Sequence, residues 1–249
     1  MAEAGRLVAR AHAIARDMCQ PGVRTIEIDQ AIDRLFAELN ATPLFKGFPG
    51  DVPFPAATCI SINEEIVHGI PGDRVIQNGD IVSIDTGCRL DGWCGDAAWT
   101  YPVGDIDDEK QRLIECGKAV LATAIRAFGT EPSWSRVARK LMAEVKKAGF
   151  SLVEKFVGHG IGKEMHEAPQ VPNYTTEDLE KEDFELRPGI VRAIEPMINA
   201  GTPDIEILAD KWTAVTRDRR PSVHFEHTVG LSSDGPLILT EGVGDPLSL

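Results

Sequence analysis

The chain has 249 residues, of which 43% are hydrophobic and 26% charged, and a formal net charge of −13 at pH 7. This describes a soluble globular chain of one large or two small domains, with no apolar run able to span a bilayer and no N-terminal h-region. The acidic surplus excludes a nucleic-acid partner, because no basic excess is left to neutralise phosphates; five cysteines, an odd number with no CxxC, exclude a disulfide framework and a thiolate zinc site and fit a reducing cytoplasm.

Taken in order, residues 3–20 carry Leu7, Ala11, Ile14, Ala15 and Met18 on one helical face, and Pro21-Gly22 ends that helix. Thr25 is placed to cap a second helix whose stripe is Ile28, Ile32, Leu35, Phe36 and Leu39. A Pro- and Gly-rich connection, 42–57, holds Phe45, Phe48 and Phe54, aromatics that pack beneath a loop more often than they rim a pocket, with both readings open here. Thr58–Ile62 reads as a strand, and two turn clusters frame Val75-Ile76. Alternation over 81–85 and the turn signal Asp91-Gly92 predict a hairpin. A loop of residues 89–92 would put Asp85 directly across from Asp96 on the same face. Two facing carboxylates repel unless a cation lies between them; the pair alone fits equally a surface hairpin with solvated acids.

Helical pattern returns over 107–128, with Leu113, Ile114, Ala124, Ile125 and Phe128. Ser133 or Ser135 is placed to cap a further helix carrying Val137, Leu141, Met142 and Val145 and ending before Gly149. Residues 33–39 (DRLFAEL) resemble residues 139–145 (RKLMAEV), and the order helix, helix, strands recurs. Two similar halves are expected, roughly 3–106 and 107–240, fused into one domain spanning 1–249. The remainder reads as strands at 152–157, 190–194, 212–216, 223–231 and 237–239.

Glu195 ends an apolar strand before Pro196, and Glu226 lies between Phe225 and His227 in another. A carboxylate in such a strand needs a positive partner, either an arginine or a metal. His159, with glycine on both sides, fits a turn as readily as a ligand. Taken together, Asp85, Asp96, His159, Glu195 and Glu226 suit two divalent cations bridged by shared carboxylates and a water, with the oxygen-rich donors favouring Mn, Fe(II) or Co. That is hydrolytic chemistry. Competing motifs fail: 166–170 misses HExxH at its last position, 158–163 is too short for a P-loop, and 230–234 is not GxSxG.

These five residues, in this order and in these contexts, resemble the type I methionine aminopeptidases. The matching stretches are Cys59-Ile60-Ser61-Ile62-Asn63-Glu64 running to Val67-His68-Gly69-Ile70-Pro71, Asp85-Thr86-Gly87, Gly158-His159-Gly160-Ile161-Gly162, Met165-His166-Glu167-Ala168-Pro169, Ile194-Glu195-Pro196-Met197 and Phe225-Glu226-His227-Thr228. The resemblance implies the α/β (α+β) pita-bread fold, two pseudo-symmetric halves around a curved antiparallel sheet covered by helices. It implies removal of the N-terminal methionine from nascent proteins and peptides with a small second residue, by a metal-bridging hydroxide attacking the first peptide bond. Asp85, Asp96, His159, Glu195 and Glu226 would hold two ions (Co, Mn, Fe(II) or Zn), with Asp96 and Glu226 bridging. Glu195 would take the proton, and His68 and His166 would contact the substrate. Phe45, Phe48, Cys59, His68, Met165 and Trp212 would line the methionine pocket. A monovalent cation near Asn63 and Ser222, a cytoplasmic monomer and a transient ribosome contact complete the expectation, although −13 leaves no basic patch for stable docking.

The chain departs from that pattern at Ala193, where a threonine is usual, at Arg192 and His224, and in a stretch over 50–57 that is long for the family. Two alternatives remain at this stage: an Xaa-Pro aminopeptidase of the same fold, and a catalytically silent pita-bread binding protein.

Overall fold

A computed structural model of the protein describes residues 1–244 and Leu247. Helices α1 (Ala2–Met18) and α2 (Thr25–Glu38) bury the faces their periodicity predicts: Leu7, Ala11 and Ala15 with Ala4, Val8 and His12 on α1, and Ile28, Ile32, Leu35 and Phe36 on α2. Thr25 is not the cap of α2. It is the first helical residue, and its hydroxyl exchanges hydrogen bonds with the backbone of Gly72, at 3.1 Å as donor and 2.8 Å as acceptor. Arg24 stands at the N-cap, and Glu27 reaches back to accept from its backbone N–H at 2.9 Å. That reciprocal bond needs only the carboxylate three residues on, which frees the threonine for the neighbouring turn.

Strands β1 (Thr42–Pro43), β2 (Thr58–Ile62), β3 (Glu65–Val67), β4 (Ile81–Leu90) and β5 (Trp93–Pro102) follow. β4 pairs antiparallel with β1, β2 and β5. Next come α3 (Asp108–Phe128) and α4 (Trp134–Ala148). Asp107 caps α3 by accepting from Lys110 N at 2.8 Å. Ser133 occupies the N-cap position of α4, but its hydroxyl makes no capping bond. The carboxylate of Asp183 does so from far along the chain, accepting from the backbone N and the hydroxyl of Ser135 at 2.9 and 2.6 Å. An ionised carboxylate is the stronger acceptor at the positive end of a helix. Gly149, with φ +81°, ends α4 in the left-handed conformation.

The rest of the chain forms short strands: β6 (Ser151–Leu152), β7 (Gly158–Gly160), β8 (Glu167–Val171), β9 (Val191–Ile194), β10 (Met197–Asn199), β11 (Ile205–Ile207), β12 (Ala214–Thr216), β13 (Ser222–His224), β14 (His227–Ser232) and β15 (Gly235–Ile238). The strand expected over 223–231 is two strands, interrupted at Phe225-Glu226, and that expected over 152–157 stops at Leu152. Antiparallel pairing runs in the order β15-β14-β9-β7-β8.

This sheet, together with β13 of the neighbouring β13-β10-β6 sheet, meets the β4–β5 sheet along a seam. Glu226 N donates to Ala98 O at 2.8 Å. Beside it two threonine hydroxyls stand in for backbone groups. Thr228 Oγ1 accepts from Asp96 N (3.0 Å) and donates to Asp96 O (2.7 Å). Thr100 Oγ1 does the same with His224 N and O, at 3.0 and 2.9 Å. The main core lies between the helices and the sheets, with Phe36, Trp99, Phe128, Trp134 and Phe225 among its largest fully covered side chains. All five cysteines are buried and unpaired. No helix among the described residues is long and apolar enough to cross a membrane.

Candidate metal centre

Asp85 does not sit opposite Asp96. The turn between β4 and β5 is only Asp91-Gly92, with φ of +50° and +79°, the positive pair that a two-residue hairpin turn of type I′ requires. Leu90 therefore pairs with Trp93, Asp85 faces Ala98, and Asp96 faces Gly87. The expected register put all of 89–92 in the loop; the tighter turn carries the ladder two residues further. An even offset preserves the face, so the two carboxylates still project to the same side, on a diagonal. Gly87 makes room for one of them: a Cβ there would lie 2.6 Å from Asp96 Oδ1.

Both carboxylates line a cavity of about 560 Å³, and the second sheet sends three more groups into it. His159 comes from the middle of β7, Glu195 follows the last residue of β9, and Glu226 occupies the break between β13 and β14. Asp96, His159 and Glu226 each offer one ligand atom, and these atoms lie within 4.8 Å of one another. Glu195 is bracketed by imidazoles: His159 Nε2 is 3.5 Å from its Oε1, and His224 Nε2 is 3.6 Å from its Oε2. Arg192, the arginine nearest to it in sequence, turns away to Val191 O at 2.7 Å and to the ring of Phe184.

The electrostatics are those of crowded acids. Burial, then the charges of Asp96 and Glu195, push the Asp85 carboxyl well above the usual range. Burial pushes Asp96 up to about 7. Glu195 and Glu226 are likewise raised well above theirs, by burial first and by neighbouring carboxylates second. Asp85 Oδ1, Asp96 Oδ1 and Glu226 Oε1 are buried with no hydrogen-bond partner. Native proteins rarely leave such atoms unsatisfied, and anionic oxygens grouped with an imidazole are satisfied by a divalent cation. His159 is arranged to ligate: its Nδ1 lies 2.9 Å from Gly160 O, and donating there leaves the Nε2 lone pair facing Glu195. The donor set thus fits hard or borderline divalent ions.

An apolar wall adjoins the carboxylates. Phe45, Phe54, Cys59 and Met165 are buried together, with Phe48 and Trp212 packed against them. Burial, then the charges of Asp85 and Asp96, raise the Cys59 thiol, so it serves as a small neutral group. His68 and His166 face the same cavity. His68 adopts a left-handed backbone (φ +60°), rare for a non-glycine residue. Its ring meets Phe156 edge to face at 5.1 Å; that of His166 meets Phe48 at 5.3 Å and His159 at 4.3 Å.

The five proposed divalent-metal ligands and all the proposed substrate contacts line this one cavity; Asn63 and Ser222 do not. Phe54, left open by the sequence between loop packing and a pocket rim, lines it too, as do Phe156 and His224, which sequence reasoning missed. For His224 a signal existed: it precedes Glu226 by two positions, the period that returns a strand residue to the same face. Phe54 is both packing and wall.

The sequence profile of metallopeptidase family M24 matches residues 1–232. "Methionine aminopeptidase 1" of Bacillus subtilis is 43% identical over 240 residues, 96% of this chain and 94% of that protein. The crystal structure of methionine aminopeptidase from Thermotoga maritima superposes with a TM-score of 0.91 at 38% identity, covering 96% of this chain and 94% of that one. The structure of methionine aminopeptidase from Rickettsia prowazekii gives 0.90 at 34% identity, with the same coverages.

Proposed function

We propose, from the premise that the chain belongs to metallopeptidase family M24, a division of labour among its residues. The protein is a metallo-exopeptidase that removes N-terminal methionine from peptides. One observation carries the site reading: buried carboxylate oxygens without partners converge with an imidazole beside an apolar pocket.

Asp85, Asp96, His159, Glu195 and Glu226 would hold two divalent ions, of Mn, Co, Fe(II) or Zn. Bound there, such ions supply Lewis acidity toward a carbonyl and lower the pKa of water at the site. The chain's own residues do the rest. Glu195, at the cavity wall between two imidazoles, takes the proton of the attacking water and returns it to the leaving amine. His166 donates to the oxygen of the scissile carbonyl as its charge develops. His68, fixed by its backbone conformation and by Phe156, aligns the peptide and assists departure of the amine. Phe45, Phe48, Cys59, Met165 and Trp212 hold the methionine side chain. With the methionine side chain against these apolar groups, the free amino terminus would lie at the carboxylates, as an exopeptidase needs, and a small second residue is preferred.

The finer surroundings follow the same reading. The substrates are cytoplasmic nascent chains, met transiently at the ribosome by a monomeric enzyme. A monovalent cation would bind near Asn63 and Ser222, which already touch through Ser222 N and Asn63 O at 2.9 Å.

The test is peptide cleavage by metal-stripped protein supplied in turn with Mn, Co, Fe(II) or Zn, with Met-Ala-Ser and Ala-Pro-Ser in competition. Methionine release restored by metal and lost in His159→Ala is the expected result. Release of alanine instead, or no cleavage with metal demonstrably bound, overturns the reading.

A further inference from the structure

Residues 47–54 form a loop that buries almost nothing of its own. Gly50, Asp51, Val52 and Pro53 are exposed, Val52 at 57%. What the loop does bury is Phe54, 3% exposed, and this ring packs edge to face on Trp212 at 5.3 Å and 82°. Its base is closed by two backbone bonds, Gly47 N to Phe54 O at 2.8 Å and Phe54 N to Phe48 O at 3.0 Å. Its tip is tied to the same indole: Trp212 Nε1 donates to Val52 O at 2.8 Å. Between base and tip the loop passes so close that a Cβ at Gly50 would lie 2.6 Å from the indole. Trp212 lines the cavity and stands 6.2 Å from the His68 ring, perpendicular to it.

Ordering an exposed loop costs backbone entropy that exposed side chains do not return. Here the Phe54 ring, the close pass at Gly50 and the tip hydrogen bond all meet one pocket-wall residue, while Phe48 packs on His166. We infer that residues 47–54 are a selectivity strap: they clamp Trp212, and so set which first side chain the apolar pocket accepts, with Phe54 both holding the indole and forming the wall beside it. The clamped wall fits a slender, unbranched thioether; a slack wall admits broader side chains. The inference rests on the aminopeptidase reading above.

The experiment compares Met-Ala-Ser, Leu-Ala-Ser and Phe-Ala-Ser as substrates of the Mn-loaded wild type, Phe54→Ala, Phe54→Leu and Trp212→Phe. In Phe54→Ala the preference for Met over Phe in kcat/KM falls by roughly 10-fold or more, the range expected of a pocket contact, mainly through KM. Trp212→Phe, which lacks the tip hydrogen bond, moves the same way, and Phe54→Leu keeps most of the preference. A Met-over-Phe ratio unchanged within about twofold in Phe54→Ala overturns the strap whatever Trp212→Phe does, as does an equal loss of kcat on all three peptides. A wild type that releases no first residue overturns the aminopeptidase reading, and the strap with it; failure of the strap alone shows only in the variants.

Discussion

Gly87 lies directly across the hairpin from Asp96, and the Asp96 carboxylate fills the space that a side chain at 87 would need. The glycine is therefore a space requirement of the metal centre more than a demand of the strand. Gly87→Ala should weaken Mn binding by about 10-fold or more, the usual effect of displacing a ligand's support. The cation-free fold should lose only about 1–3 kcal/mol, the scale of overpacking. Calorimetric titration with Mn, beside thermal unfolding of stripped protein, separates the two effects.

Glu226→Gln removes one negative charge from a buried group of acids whose protonation is already forced upward. Stripped protein carrying this change should melt at a higher temperature than stripped wild type, because like-charge repulsion falls. The same change should abolish the Mn-induced rise in Tm and methionine release. A lower Tm in stripped Glu226→Gln would show that the site is not strained by its own charge.

Acid and base act on this fold through opposite groups. His12, hydrogen-bonded to Tyr101 and Ala97 O, is held at about 4 by burial, and His227 at about 3. The unfolded chain takes up protons at both as pH falls through about 6.5, so these two weaken the fold from there down to about 4. The site carboxylates run the other way: their folded pKa values are raised, to about 7 for Asp96, so without a cation they weaken the fold as pH rises through about 4 to 7. Cation binding requires them ionised. The Tm rise on adding Mn should therefore be larger at pH 7.5 than at pH 5, as differential scanning calorimetry at the two values would reveal.

His224 Nε2 is buried, has no hydrogen-bond partner and faces Glu195 Oε2. His224→Leu should leave Tm unchanged or raised, since an unsatisfied polar group is removed, while kcat for Met-Ala-Ser falls about 10-fold with KM little altered. His224→Gln, which keeps a donor, should retain most of the rate. Equal activity in the leucine variant would leave Glu195 positioned by His159 alone.

The helices were legible because their buried faces recur with a clear period and end at Pro21-Gly22 and Gly149. The five acid and imidazole donors were legible because each is a polar residue in an apolar or glycine setting that does not otherwise explain it. The hairpin register was not: composition located the turn at Asp91-Gly92, but only the positive φ of both residues fixes how many positions the loop consumes. Caps failed for a related reason. Which acceptor reaches a helix end depends on chain 48 residues away in the case of Asp183, and local preference for serine or threonine does not carry that information. The strap is not legible in the sequence because a hydrogen bond to a backbone oxygen such as Val52 O leaves no trace in residue identity.

The seam gives the ligand set a temporal consequence. Asp85 and Asp96 belong to the sheet that follows the first helix pair, and His159, Glu195 and Glu226 to the sheet that follows the second; the two are sewn together at Ala98, Thr100 and Thr228. On the proposed ligand set a cation would be held by both and would act as a staple across the stitching, linking its capture to closure of the seam. Because Glu226 lies 141 positions after Asp85 in the sequence, the proposed site would be assembled only after that much more chain has been made and folded.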